Sequence, residues 1–256
     1  MRKVSKLMNI FSIGFELAKK DFKLRNEGSY LGVLWYLLDP LLLFLILIFL
    51  RGFIIGGDSN DYPIYLLSGL IIFNFFRHST STSINSITGN ANLIKSMKIE
   101  SEIFIISRVI QSIFSHFFEI ILLCIFMLYF GYSLNWLIFY PLIFLVLVIF
   151  IMGLSFLLST LSVFIKDLNN LWLVLTRLLW FSTPIFYYVD ELSFIYLLNI
   201  FNPIFYFISI FRNLILDHMV PRLITVLIIS NTSLVILIIG LLIFSKYKNK
   251  FPELLS

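Results

Sequence analysis

The residues of this chain that could do chemistry are few, and they sit inside apolar runs. At helical periodicity Arg108, Ser112, Ser115 and Glu119 fall at i, i+4, i+7 and i+11 on one narrow face, with Gln111 and His116 beside it. An ionised group at the centre of a bilayer costs roughly 2.5 to 3.5 kcal/mol on insertion scales, so such groups pair or face water. Two readings fit the face: the polar wall of a translocation path, or a buried seam joining helices, with Arg108 reaching for the nearer surface. Asp39-Pro40 interrupts another apolar run. The proline removes a backbone donor and kinks the helix, while Asp39 is expected to bond Tyr36 or a neighbouring helix. A proton relay would need a second carboxylate at matching depth, and Glu119 is the candidate. Arg177, one turn before Trp180, either meets an anionic ligand group or pairs with an acid.

Other chemistries lack their residues. His78, His116 and His218 are scattered and Cys124 is the single cysteine, so no metal cluster, CxxC site or intrachain disulfide is expected. The chain has no GxxxxGK[ST] for binding ATP in the P-loop manner. It also lacks GxSxG and HExxH, so catalysis has no constellation to rest on.

The elements that carry these residues are those of a membrane protein. Of 256 residues, 60% are hydrophobic and 13% charged, with mean hydropathy +0.99. A soluble domain is about half apolar and a quarter charged. The net charge of +5 comes from basic residues outside the apolar runs, which reads as topology signalling and not as a nucleic-acid surface. Residues 8–25 form an amphipathic, basic interfacial helix. Residues 31–50 carry only Asp39 as a charge and, at about 1.5 Å per residue, cover the ~30 Å hydrocarbon core. This first run is too long for a secretory signal and is expected to be retained.

Further spans are expected from residue 62 through the Ser/Thr-rich stretch that follows, then over 103–130, 136–164, 171–188 (broken near Thr183-Pro184) and 223–244. Polar turns fill 56–61 and 89–102. The 189–222 connection is long and apolar, but its runs are too short to cross; it reads as a re-entrant helical pair around Asn202-Pro203, or as an outer loop hugging the membrane. Arg2, Lys3, Lys6, Lys19, Lys20, Lys23, Arg25, Lys95, Lys98, Lys166, Lys246, Lys248 and Lys250 all fall on one side. The positive-inside rule puts that side, and both termini, in the cytoplasm. The expectation is an all-α, polytopic, single-domain protein with six transmembrane helices: 1–29 a cytoplasmic interfacial segment, 30–245 transmembrane, 246–256 a cytoplasmic tail.

KKDFKLRNEGSYLGVLWYLLDPLL resembles the opening signature of ABC-2 type permeases that export polysaccharides, the O-antigen, capsule and teichoic-acid group. The matching positions are Lys20-Asp21, Lys23, Arg25, Ser29, Leu31-Gly32, Leu34-Trp35 and Asp39-Pro40. SGLIIFNFF, ANLIKSMKIE, STLSVFIKDL, STPIFY and FNPIFYFISIFRNLI are similar to later elements of the family, in order along nearly the whole chain. Two departures are Asn26-Glu27, where an aromatic and a basic residue are usual, and the missing proline near Glu100.

The resemblance implies a homodimer in the cytoplasmic (inner) membrane, served by two copies of a separate ABC nucleotide-binding protein that would hold ATP and Mg; this chain itself would need no cofactor. It implies a lipid-linked polysaccharide substrate, most simply O-antigen, with membrane lipids as the other contact. Coupling to the ATPase would fall to Asn92, Leu93, Ile94, Lys95, Ser96, Met97 and Lys98, with Lys19, Lys23 and Arg25. Trp35, Tyr36, Arg177, Trp180 and Tyr187 would line the path, and Asn202, Pro203 and Arg212 the outer gate. The alternatives are an ABC-2 exporter of another lipid or drug, and a membrane-embedded transferase acting on lipid-linked sugars. The transferase would need convergent acid, base or metal-binding residues at one depth. A secondary transporter would show repeated halves, which these unequal spans do not.

Overall fold

The computed structural model describes residues 2–27, 30–54, 61–97, 99–189 and 192–254, and all regular structure among them is helical. The α-helices are α1 (Arg2–Asn26), α2 (Trp35–Ile54), α3 (Tyr62–Ile84), α4 (Ala91–Met97), α5 (Glu102–Tyr129), α6 (Tyr140–Phe164), α7 (Leu168–Ser182), α8 (Phe194–Asn199), α9 (Pro203–Ile215), α10 (Leu223–Tyr247) and α11 (Phe251–Leu254). Four stretches are long and apolar enough to cross a membrane: Trp35–Gly52, Glu102–Tyr129, Asn135–Phe164 and Leu223–Leu254. This is a membrane protein by length and composition.

Side-chain contacts fix the direction of each helix. Tyr36 stacks on Phe118 and Phe44 meets Phe126, so α2 and α5 run parallel. His78 meets Ser112 and Phe75 meets His116, so α3 runs against α5. Trp172 donates to Thr80 while Trp180 packs on Phe73, so α7 also opposes α3. Phe156 meets Phe244 and Phe164 meets Tyr247, so α6 and α10 run parallel. The six helices α2, α3, α5, α6, α7 and α10 therefore alternate in direction along the chain.

α3 is the centre of the bundle and packs on α2, α5, α6, α7 and α9. Its second half is the Ser/Thr-rich stretch, in which the Thr80, Thr82 and Ser83 hydroxyls bond back to helix carbonyls while the buried Ser79 and Ser81 hydroxyls have no partner among the described residues. Thr80 donates to the Phe76 carbonyl at 2.8 Å and Ser83 to that of Ser79 at 2.7 Å. Ser162 on α6 donates to the Ile84 carbonyl at 2.7 Å. Small side chains of this kind allow close helix packing.

The α6–α10 pair is closer still. A Cβ at Gly153 would stand 2.5 Å from the Leu237 backbone nitrogen, and one at Gly240 would strike the Gly153 carbonyl. Only glycine permits this backbone contact.

α1 docks on α5. Ile10 and Ala18 are buried, a Cβ at Gly14 would press on Ile106, and Phe22 meets Phe114 and Phe118. Met8, Phe11 and Leu24 remain exposed on other faces. The expected interfacial helix is thus half partnered by protein. The expected fifth span is shorter than the sequence run: α7 stops at Ser182, 15 residues long, about 22 Å at helical rise. Thr183 is extended and Pro184 follows, the break expected there. Of the expected polar turn at 56–61, only Asp61 is described, and Lys98, Asp190 and Glu191 lie outside the described residues.

Candidate functional site

The start of α2, the polar half of α3 and the middle of α5 enclose a cavity of about 330 Å³, within the range of small-molecule sites. Trp35, Tyr36 and Asp39 line it from α2, Asn74, Arg77 and His78 from α3, and Ser112, Ser115 and Glu119 from α5. Three of the four residues on the narrow α5 face therefore share one wall. The fourth, Arg108, turns away: its Nη1 lies 3.3 Å from Asp21 Oδ2 on α1 and donates to Gln111 Oε1 at 3.2 Å. The two sequence readings divide along the helix, with Arg108 in a seam between helices and the rest on a cavity.

The cavity wall is ordered by buried bonds. His116 Nδ1 lies 2.9 Å from Glu119 Oε2, and its Nε2 lies 2.5 Å from the Tyr140 hydroxyl on α6. The imidazole is stacked on Phe144 at 4.8 Å, so ring and carboxylate are held in one orientation. Ser112 Oγ lies 3.2 Å from His78 Nδ1 and donates to the Arg108 carbonyl at 3.0 Å. Asp39 is exposed and faces the same space as Glu119. No group of three metal-ligating residues occurs among the described residues.

A second cavity of about 500 Å³ lies between α2, α3 and α7, lined by Leu43, Phe73, Thr176, Arg177, Trp180 and Phe186 among others. Arg77 borders both spaces. The five expected path residues thus divide: Trp35 and Tyr36 on the first cavity, Arg177 and Trp180 on the second. Tyr36 is wedged between Phe22 of α1 at 5.3 Å and Phe118. Arg177 is exposed and enters no ion pair among the described residues. Tyr187 lines neither cavity; its hydroxyl donates to the Phe181 and Ser182 carbonyls and closes the end of α7.

A family profile described as ABC-2 type transporter matches residues 15–216. This chain belongs to the ABC-2 type transporter family. It is 30% identical over 251 residues, 96% of both chains, to an O-antigen export system permease protein RfbA of Klebsiella pneumoniae. It is 22% identical over 257 residues, 99% of both chains, to one of Myxococcus xanthus. A shorter match, 30% over 105 residues and 37% of this chain, is to the polysialic acid transport protein KpsM of Escherichia coli.

In this ABC-2 type transporter the expected coupling residues lie on α4 and α1. Asn92, Leu93, Lys95, Ser96 and Met97 are exposed and Ile94 is buried. Lys19 and Lys23 are exposed on α1, with Lys23 3.7 Å from Glu27; the Arg25 side chain lies outside the described residues. At the other end of the bundle Asn202 caps α9, its Oδ1 accepting from the Ile204 amide at 3.1 Å with Pro203 at the first helical position. Its Nδ2 donates to Thr183 Oγ1 at 2.8 Å, tying α9 to the end of α7. Arg212 is buried and donates to the carbonyls of Tyr65 (3.0 Å), Pro184 (2.7 Å) and Ile185 (2.9 Å). Its guanidinium carbon lies 3.4 Å from the Tyr65 ring centroid, and Gly69 makes the room, since a Cβ there would stand 2.5 Å from Nη2.

Arg77 and the Asp21–Arg108 pair were not singled out from sequence. Arg77 lies beside His78 within a polar stretch that reads as packing, and a pair 87 positions apart leaves no local pattern.

Proposed function

We propose that this chain is the permease subunit of an ATP-driven exporter moving a lipid-linked polysaccharide, of the O-antigen type, across the cytoplasmic membrane. The reading is carried by its full-length similarity to permeases named for O-antigen export. The subunit works as a homodimer with two copies of a separate ATP-binding protein that holds ATP and Mg. Six crossings with both termini in the cytoplasm are supported by the alternating helix directions and by the basic residues gathered at the end of the bundle where α2 begins and α10 stops. α9, 13 residues long, reaches only about 20 Å and buries Phe207, Phe211 and Leu214; with the short α8 it fits a re-entrant outer gate.

Dimerisation is supported by the faces beside the second cavity. Leu42, Leu45 and Phe49 on α2 and Leu171, Val174, Leu178 and Phe181 on α7 are exposed. Arg177 and Trp180 would face the shared path there, and Trp35 with Arg77 would meet substrate on its cytoplasmic approach. Aromatic faces stack on sugar rings while the planar polar groups bond hydroxyls.

The test is a chromosomal deletion complemented by tagged protein. The deletion should trap lipid-linked glycan on the cytoplasmic face, and the tagged chain should carry an ATP-binding protein through purification. A deletion that blocks glycan synthesis instead of export would favour the transferase.

A further inference from the structure

The segment after α10 is more than a basic tail. A single 3-10 turn at Lys248–Lys250 follows α10, and α11 continues from it. Phe251 is completely buried; its ring lies 5.5 Å from Phe244 of α10, which meets Phe156 of α6 at 5.1 Å. The same apolar cluster holds Ile10 of α1, Ile103 and Ile106 of α5, and Ile94. Ile94 is the one buried residue of α4. Beyond the turn at 88–90, the main neighbour of α4 is α11. A second tie lies beside the first: Lys248 Nζ donates to Glu102 Oε1 at 2.9 Å, and Glu102 opens α5 just past the link from α4. Ile94, Ile99, Glu100, Glu102, Lys248 and Pro252 border one cleft between these elements.

A helix of seven residues does not hold its shape alone in water. With five residues exposed, Ala91 half-buried and Ile94 inward, α4 takes its position from whatever grips Ile94. An irregular link such as 99–101 bends under load, whereas a close-packed ring contact passes displacement on. We infer that Phe251 and Lys248 are positioning residues for the coupling segment, Phe251 seating α4 against the end of α10 and Lys248 fixing the start of α5 beside it, so that movement imposed on α4 is handed to α10 and is not lost in the α4–α5 link. This rests on the reading of α4 as the contact for an ATP-binding subunit.

The experiment uses the full chain, purified with its ATP-binding subunit and reconstituted. Three quantities are read: subunit retained, ATP hydrolysed, and glycan moved per ATP. F251A should retain the subunit and lose about five- to tenfold in glycan per ATP, the size of a modest coupling free energy; F251L should recover most of it. K248E should fall in the same direction, and K248E combined with E102K should recover, which a general loss of stability would not do. Unchanged glycan per ATP in both F251A and K248E overturns the inference. Should F251A aggregate, the charge reversal and its swap decide: no loss, or no recovery, overturns it. If the unaltered chain retains no ATP-binding subunit, the proposed function fails and this inference with it.

Discussion

Two arginines of this permease, Arg212 and Arg77, meet opposite treatment. Arg212, on α9, is enclosed by carbonyls of Tyr65, Pro184 and Ile185, lies against the Tyr65 ring, and has Gly69 cut away to admit it. Arg77, lower on α3, is exposed; the hydrogen bond found for its guanidinium runs to Asn74 Oδ1 at 3.4 Å, and it borders two cavities. A buried cation surrounded by oriented carbonyl dipoles is a fastening, since removing it strips a donor from every carbonyl it served. A cation at the edge of open space still has donors to give. Position in a membrane bundle does not by itself mark a charge as functional; the saturation of its donors does.

The comparison breaks first at Arg212. Arg212→Met should cost about 2–3 kcal/mol, because the buried Ile185 carbonyl loses its donor while the Tyr65 and Pro184 carbonyls keep bonds from the Ser68 and Tyr65 hydroxyls. The check is the thermal midpoint of the detergent-purified protein. A midpoint within about 2 °C of the parent would mean that the cage carries no load.

Arg77→Gln should leave that midpoint in place and lower glycan export about tenfold, the worth of one charge-assisted hydrogen bond. Export at the parental rate would remove Arg77 from the path. Arg177→Gln should have the smallest effect, about threefold or less on the scale of a neutral hydrogen bond, because it borders one cavity where Arg77 borders two. A larger loss there than at Arg77 would move the decisive contact to the α7 side.

Much of this was legible where the signal was local. The 3.6-residue period put Ser112, Ser115 and Glu119 on one wall. Thr183-Pro184 marked the end of α7 and Asn202-Pro203 the start of α9, since proline and a capping amide act within a few residues of themselves. What sequence hid depends on distant partners. Asp21–Arg108 and Glu102–Lys248 join residues far apart in the chain, and Phe251 gives no sign of burial inside a short polar tail. Gly153 and Gly240 sit in uniformly apolar runs that have no period to show which face meets protein. Tyr187 and Arg212 were implied by the family resemblance; the structure shows both occupied with backbone carbonyls.

The glycine contact between α6 and α10 has a mechanical consequence. Where two backbones touch, neither helix can spin about its own axis without driving a carbonyl into its neighbour, so the pair is left with tilting as its shared freedom. A push delivered at Lys248 would therefore reach the Tyr140 end of α6 as a change of slope, and with it the imidazole that leans on that tyrosine.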